Sequence, residues 1–214
     1  MIVLIDSIKG GPGKSTIAAN MAVAFAQEGK DVICVDADRQ LSLSKFFHSR
    51  EALDKTDLPH VDCVIQVDDV SRTLRQLAKR CDIVIVDVAG ALTQEMVTAL
   101  KVADVSLCPI EPSQLDIDTL PAYMDQIETA RWNNPSLKDL YVLNRCAPLR
   151  TMDDAKEVAE MLKQEGMNLL DNWLFTYKPF RSLFSEGLTV AESDPSSKAH
   201  QNFHEFFNEF KERM

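Results

Sequence analysis

The chain lacks the marks of an oxidising or membrane setting. Its five cysteines, Cys34, Cys63, Cys81, Cys108 and Cys146, include no CxxC pair. They lie in or beside apolar runs, so buried, reduced thiols in a reducing compartment are expected. No apolar run reaches the ~18–20 residues of a membrane span. The opening MIVLIDSIKGG lacks the basic start of a signal peptide, and Asp6 and Lys9 interrupt it, so it reads as a strand. No linker, repeat or low-complexity block divides the 214 residues. One domain spanning 1–214, long enough for a sizeable core, is expected. Positive charge is scarce too: 23 Lys and Arg against 33 Asp and Glu give a net charge of -10. A uniform surface of that sign repels DNA and anionic membranes, so nucleic-acid binding would need a local basic patch.

What is present is a regular alternation. Strands are expected at 2–8, 31–35, 63–67, 82–87, 105–110, 140–144 and 169–175. Helices are expected at 15–27, 42–53, 70–79, 93–102, 113–130, 152–164 and 200–213. Pro121 is tolerable in the long 113–130 helix only as a kink or a break. The alternation predicts an α/β fold, a mostly parallel twisted sheet with helices on both faces. Ligands of such sheets bind beyond the carboxyl ends of the strands. Residues 9–16, 36–40, 87–90, 109–113 and 144–145 fall there. In the terminal helix, Phe203, Phe206, Phe207 and Phe210 share one face, and the mixed charges opposite favour a helix packed on the core over a membrane-targeting one.

The stretch SIKGGPGKST joins the first strand to the first helix. Gly10, Gly11 and Gly13 let backbone amides approach phosphate oxygens, and the helix N-terminus adds partial positive charge. Pro12 removes one amide N–H and fixes φ, which stiffens the loop. Lys14 would reach the β- and γ-phosphates, the Ser15 hydroxyl would ligate Mg²⁺, and Thr16 would contact the α-phosphate. ATP or ADP with Mg²⁺ is the implied ligand. Asp87 ends the DIVIVD strand, where a carboxylate holds the Mg²⁺ shell through water; a strand-end turn residue is the competing reading.

The pattern GxxxxGK[ST] is not fully met, because its first glycine would fall at Ile8. KGGPGKST instead resembles the deviant Walker A motif of the ParA/MinD family of nucleotide-switched P-loop ATPases. Small plasmid-partition ParA proteins without an N-terminal helix-turn-helix are the nearest likeness. The resemblance implies that Lys9 reaches across an ATP-dependent homodimer to the partner's phosphates. VDADRQ resembles the family's switch region, with Arg39 in place of a proline. There Asp38 would orient the attacking water and Asp36 would support Mg²⁺; for Asp38 a helix-capping role competes. By the same likeness Asn20 would face the nucleotide or the partner subunit, and 109–113 (PIEPS) would lie near the base and the interface. Asn144 and Arg145 would lie on the adenine side, with a plain turn as the alternative.

By the same resemblance Arg181 and Lys198 match positions of DNA-contacting arginines in partition ATPases, with Lys178 a weaker companion; ordinary solvated charge is the alternative. The implied function is a weak ATP hydrolase whose ATP-bound sandwich dimer binds DNA non-specifically. A centromere-binding ParB-like partner would stimulate hydrolysis and release it. The first strand begins at residue 2, so no operator-reading segment ahead of the ATPase is expected. The implied setting is the bacterial cytoplasm at the nucleoid, without stable membrane association. A positioning ATPase for another cargo, such as a membrane-associated regulator, is the rival. A ligase passing phosphate to a small acid has no substrate pocket suggested beyond the loop. An iron–sulfur reductase is disfavoured by the scattered cysteines.

Overall fold

The structure is a computed structural model that describes residues 1–11, 13–53, 55, 57–147 and 152–214, with no side-chain description at 152 and 153. Six parallel strands form one sheet in the order β3-β2-β4-β1-β5-β6. They are β1 (Ile2–Ile5), β2 (Val32–Ala37), β3 (Asp62–Ile65), β4 (Ile83–Val88), β5 (Val105–Ile110) and β6 (Lys138–Leu143). The apolar runs IVLI, IVIVDV and VSLCPI are buried along their whole length, as central parallel strands must be when both faces are covered. β3 and β6 are the edges; the side chains of β3 are largely exposed, those of β6 largely buried.

The chain leaves β1 for β2 and β3 on one side, then returns to place β4 between β2 and β1. It goes on to β5 and β6 on the other side. This reversal at β1 and β4 opens a crevice at their carboxyl ends. One face of the sheet is covered by α1 (Lys14–Gln27), α2 (Ser42–Glu51) and α9 (Lys198–Arg213). The other is covered by α3 (Ser71–Leu77), α4 (Gln94–Leu100), α6 (Leu120–Arg131) and α7 (Met152–Gln164). The α9 phenylalanines are fully buried as expected, with Phe207 edge-on to Phe25 at 4.7 Å and stacked on Phe203 at 5.7 Å.

The structure departs from the sequence reading at four points. The helix expected over 113–130 is broken into α5 (Gln114–Ile117) and α6 (Leu120–Arg131), and Pro121 sits in the first turn of α6, where its missing N–H costs nothing. No strand forms over 169–175; only the isolated bridges Tyr141–Leu169 and Cys146–Phe175 remain. Its backbone groups are divided between β6 and α9: the Leu170 and Leu174 amides donate to the Tyr141 and Leu143 carbonyls at 2.8 and 2.9 Å, and neighbouring groups turn to α9. The amides of Asp171 and Asn172 donate to Glu209, while Asn202 accepts from the Phe175 amide and donates to the Trp173 carbonyl. A helix that the sequence reading missed, α8 (Lys178–Ser185), follows with Pro179 in its first turn. The cysteines are free thiols; Cys34, Cys108 and Cys146 are buried, but Cys63 and Cys81 are only half-buried.

The Phe stripe anchors α9 to the sheet. Phe207→Ala is expected to cost ~3–5 kcal/mol of unfolding free energy. Glu205→Ala, on the exposed face of the same helix, should stay within ~0.5 kcal/mol. Paired urea titrations measure both.

Candidate nucleotide site

The glycine loop closes the crevice at the end of β1. Gly11 and Gly13 adopt φ of +101° and +92°, a region that favours glycine. Gly13 is the N-cap of α1 and supplies no side-chain hydrogen bond to it, so the first amides of a 14-residue helix have no side-chain cap. Such a terminus is an anion cradle. Two further residues press on the loop. A Cβ on Gly13 would lie 2.7 Å from the Asn144 Nδ2, and a Cβ on Gly90 would lie 2.3 Å from the Lys9 carbonyl oxygen. Gly90 of the DVAG turn thus lets the end of β4 pack directly against the backbone of the loop. Pro12 lies outside the described residues.

Beneath the loop sits a buried charge cluster. Lys14 is 6 % exposed and donates to the Ser7 hydroxyl at 3.1 Å. Burial pulls its pKa down, while Asp87 and Asp6 act in the opposite direction. Asp87 is fully buried and neither oxygen closes a hydrogen bond. Burial pushes it up to about 7; the Ser15 hydroxyl lies near enough to favour its charged form but not to bond it. Asp6, which the sequence reading saw only as an interruption of an apolar run, is the second such group. Its Oδ1 accepts from Ser106 at 2.8 Å and Tyr123 at 2.9 Å, its Oδ2 is unpartnered, and burial pushes it up to about 7.

Among the described residues no group of three His, Cys, Asp or Glu side chains could hold a metal ion alone. The donor set instead fits a hydrated Mg²⁺ that takes phosphate oxygens as well. The orphaned Asp87 carboxylate would face its water shell, and the Ser15 hydroxyl would ligate it directly.

Asp38 and Asp36 shape the neighbouring loop. The Asp36 carboxylate accepts from the amides of Asp38 at 3.1 Å and Ser44 at 2.8 Å, so it folds the loop onto the start of α2. Asp38 accepts from the Gln40 amide at 2.9 Å, a local turn, and its side chain stays half-buried. Arg39 points away to Asp68 at 3.3 Å, and both are exposed.

Lys9 stands apart from the Lys14 cluster. Its ammonium donates to Asp116, a buried carboxylate whose other oxygen accepts the Glu111 amide at 2.9 Å. Asp116 was not singled out from the sequence. The available signal was the spacing Ser113-x-x-Asp116, since Ser113 caps α5 and Asp116 is its third residue.

A cavity of about 670 Å³ adjoins the loop, lined by Gly13, Thr16, Asn144, Arg145, Tyr177 and Phe180 among others. Asn144 and Arg145 are thus brought to the loop, Arg145 in a left-handed conformation (φ +58°) and 3.7 Å from Glu111. Lys178 and Arg181 line the same cavity from α8, while Lys198 starts the separate helix α9. Asn20 does not face the site. It is buried, donates to the Thr16 carbonyl at 2.8 Å and accepts from the Val190 amide at 2.9 Å.

Three carboxyls, Asp6, Asp87 and Asp36, are raised by burial and set a pH dependence. Asp6 and Asp87 titrate near 7 when folded, against 3.8 as the reference. Between these values the folded protein holds protons that the unfolded chain has released, so stability falls as pH rises through 7. His204, lowered below 6.5 by burial, works in the opposite sense below that pH. The melting temperature of the ligand-free protein should fall between about pH 5 and 8. Asp87→Asn should flatten the slope, and an unchanged slope in that variant would contradict the assignment.

The family model described as ATPase MipZ matches residues 1–161. Maintenance of carboxysome distribution protein A of Halothiobacillus neapolitanus is 30% identical over 189 residues, 87% of this chain and 84% of that one. Protein ParA of Rhizobium radiobacter is 25% identical over 190 residues, 87% of this chain and 83% of that one. Among solved structures, a plasmid partition protein from Borrelia burgdorferi bound to AMPPNP superposes with a TM-score of 0.79. It is 18% identical, and the match covers 100% of this chain and 99% of that one. The expected P-loop fold and the resemblance carried by KGGPGKST both hold: the chain belongs to the ATPase MipZ family, among the ParA/MinD-type ATPases.

Proposed function

We propose that this chain is a single-domain, nucleotide-switched ATPase of the ParA type that partitions DNA. The observation that carries the reading is the separation of the two loop lysines. Lys14 is buried against Asp87 and Asp6, as a cis phosphate ligand would be. Lys9 lies on the other flank, half-exposed and resting on Asp116. An ammonium tied to a carboxylate in its own chain is in a resting position. The triphosphate of a second copy would offer it more negative charge than Asp116 does.

In this reading ATP occupies the loop and the adjoining cavity. Gly10, Gly11, Pro12, Gly13, Lys14, Ser15 and Thr16 take the phosphates, with Asn144 and Arg145 at the base. Mg²⁺ supplies charge neutralisation at the phosphates, held by Ser15 and, through water, by Asp87; Asp36 holds the adjoining loop in place. Lys9 of each copy neutralises the other's nucleotide, so two acidic chains associate only when it is bound. Asp38 orients the water that attacks the γ-phosphate, giving ADP and phosphate, and Lys9 returns to Asp116. Asn20 acts from the interior, by tying α1 to residue 190.

Lys178, Arg181 and Lys198 are exposed, and doubling them in a dimer would give a local basic patch despite the overall charge. DNA binding without sequence preference follows, weakening steeply with salt. A centromere-binding ParB-like partner would trigger hydrolysis, and the protein would sit on the nucleoid. Among the described residues no helix is long and apolar enough to cross a membrane. A second reading has a specific observation behind it. The relative named for carboxysome distribution is more similar (30%) than the one named ParA (25%). A protein body carried on the same DNA-bound switch is therefore the alternative cargo.

Co-sedimentation with DNA tests the switch. Wild-type protein should pellet with DNA in ATP and Mg²⁺, stay in solution in ADP, and stay in solution in ATP when Lys9→Ala is introduced. Equal pelleting in all three rules the switch out. Flotation with liposomes in ATP would instead indicate a membrane-bound regulator.

A further inference from the structure

Helix α2 connects two distant places. At its start, the Ser44 amide donates to Asp36, and the Lys45 ammonium donates to the Gln40 carbonyl at 2.9 Å, so the first turn carries loop 36–41. Leu41, the residue before the helix, is left-handed (φ +55°), an uncommon conformation for a leucine and a natural hinge. At its end, Arg50 is buried and bonds Glu192 with both arms of its guanidinium, Nη1 to Oε2 at 2.9 Å and Nη2 to Oε1 at 2.6 Å. The side chains are 6 % and 9 % exposed. Arg50 donates further to the carbonyls of Gly187 and Pro59, both at 3.2 Å, and Glu192 accepts from the amide and hydroxyl of Thr189.

The segment gripped in this way directly follows α8. Gly187 (φ +73°) lies so close to α2 that a Cβ there would be 2.5 Å from the Arg50 amide nitrogen. Phe46 of α2 stacks on Phe184 of α8 at 4.8 Å and 28°. The same segment is tied to α1 through the Asn20–Val190 bond. By contrast, α8 has no fully buried residue of its own, and it walls the cavity beside the glycine loop. Its placement therefore depends on its neighbours. The bidentate buried pair has one geometry, and loss of either charge would leave the other uncompensated.

We propose that Arg50 and Glu192 are positioning residues that lock α2 to α8, so that a shift of loop 36–41 with nucleotide state resets α8 and its basic residues Lys178 and Arg181. The proposal rests on the nucleotide-switched reading above and adds the route from switch loop to basic helix. A 10-residue helix carries the shift over about 15 Å as a rigid rod.

Hydrogen–deuterium exchange of residues 178–185 in the full chain tests it, with Mg²⁺ and either ADP or AMPPNP. The wild type should show different protection of α8 in the two nucleotides. The double variant Arg50→Met with Glu192→Leu removes both charges at similar volume, which commonly preserves folding. It should lose that difference while binding each nucleotide within about threefold of wild type. Arg50→Lys, which keeps the charge but not the fork, should retain part of it, an effect that a purely structural role would not produce in a folded, nucleotide-loaded protein. Equal α8 protection in both nucleotides in the wild type overturns the proposal. So does a full difference surviving in the double variant or, should that not fold, in Arg50→Lys. A chain that binds neither nucleotide defeats the switch reading, and the lock with it. State-dependent α8 protection without DNA pelleting defeats only the DNA-bound reading.

Discussion

The structure turns on charge held out of water at the carboxyl ends of β1 and β4. Lys14, Asp6 and Asp87 are desolvated more than they are compensated. Both carboxyls are pushed up to about 7 and the lysine is pulled down, each mainly by burial. Asp87 has no hydrogen bond at either oxygen. Unpartnered buried polar groups are uncommon in native proteins and cluster at functional sites. In the proposed reading, a magnesium-bound polyphosphate would supply what is missing: anion for the lysine and the uncapped amides of α1, cation for the carboxylate. The sheet is arranged to make this rigid, since the central strands that end in these residues are buried on both faces.

The second lysine gives the site a different property from a simple phosphate loop. Lys9 shares the loop with Lys14 but not its environment, because the chain turns at Gly10 and Gly11 and the ammonium is directed to Asp116. Gly90 presses on the backbone at the same point, so the β4 turn that follows Asp87 packs directly against the lysine's backbone. On the opposite flank, α2 is held to α8 by a ring stack, and to the segment that follows α8 by a buried ion pair and a glycine contact.

Much of this was legible in the sequence because its signals are local. The runs IVLI, IVIVDV and VSLCPI are hydrophobic on both faces and can only be central strands. The glycine loop declares itself by spacing, and the phenylalanines of α9 recur at helical period. What escaped detection depends on partners far away in the chain. Asp6 meets Ser106 and Tyr123, Lys9 meets Asp116, Asn20 meets residue 190, and Arg50 meets Glu192. Residues 169–175 have strand composition, yet beside two bonds to β6 the amides of Asp171, Asn172 and Phe175 turn to Glu209 and Asn202 of α9, and no local pattern announces that. Helix α8 was missed because its short amphipathic turn pair begins at a Tyr-Lys-Pro sequence and buries no residue completely.

The central claim is that a cation from one copy completes the nucleotide site of another. Sedimentation velocity at fixed protein concentration addresses it most directly. With ATP and Mg²⁺ the chain should shift from monomer to dimer, return to monomer in ADP, and remain monomeric in ATP when Lys9 is replaced by alanine. A sedimentation coefficient that ignores the nucleotide, or a Lys9→Ala variant that dimerises as the wild type does, would contradict it.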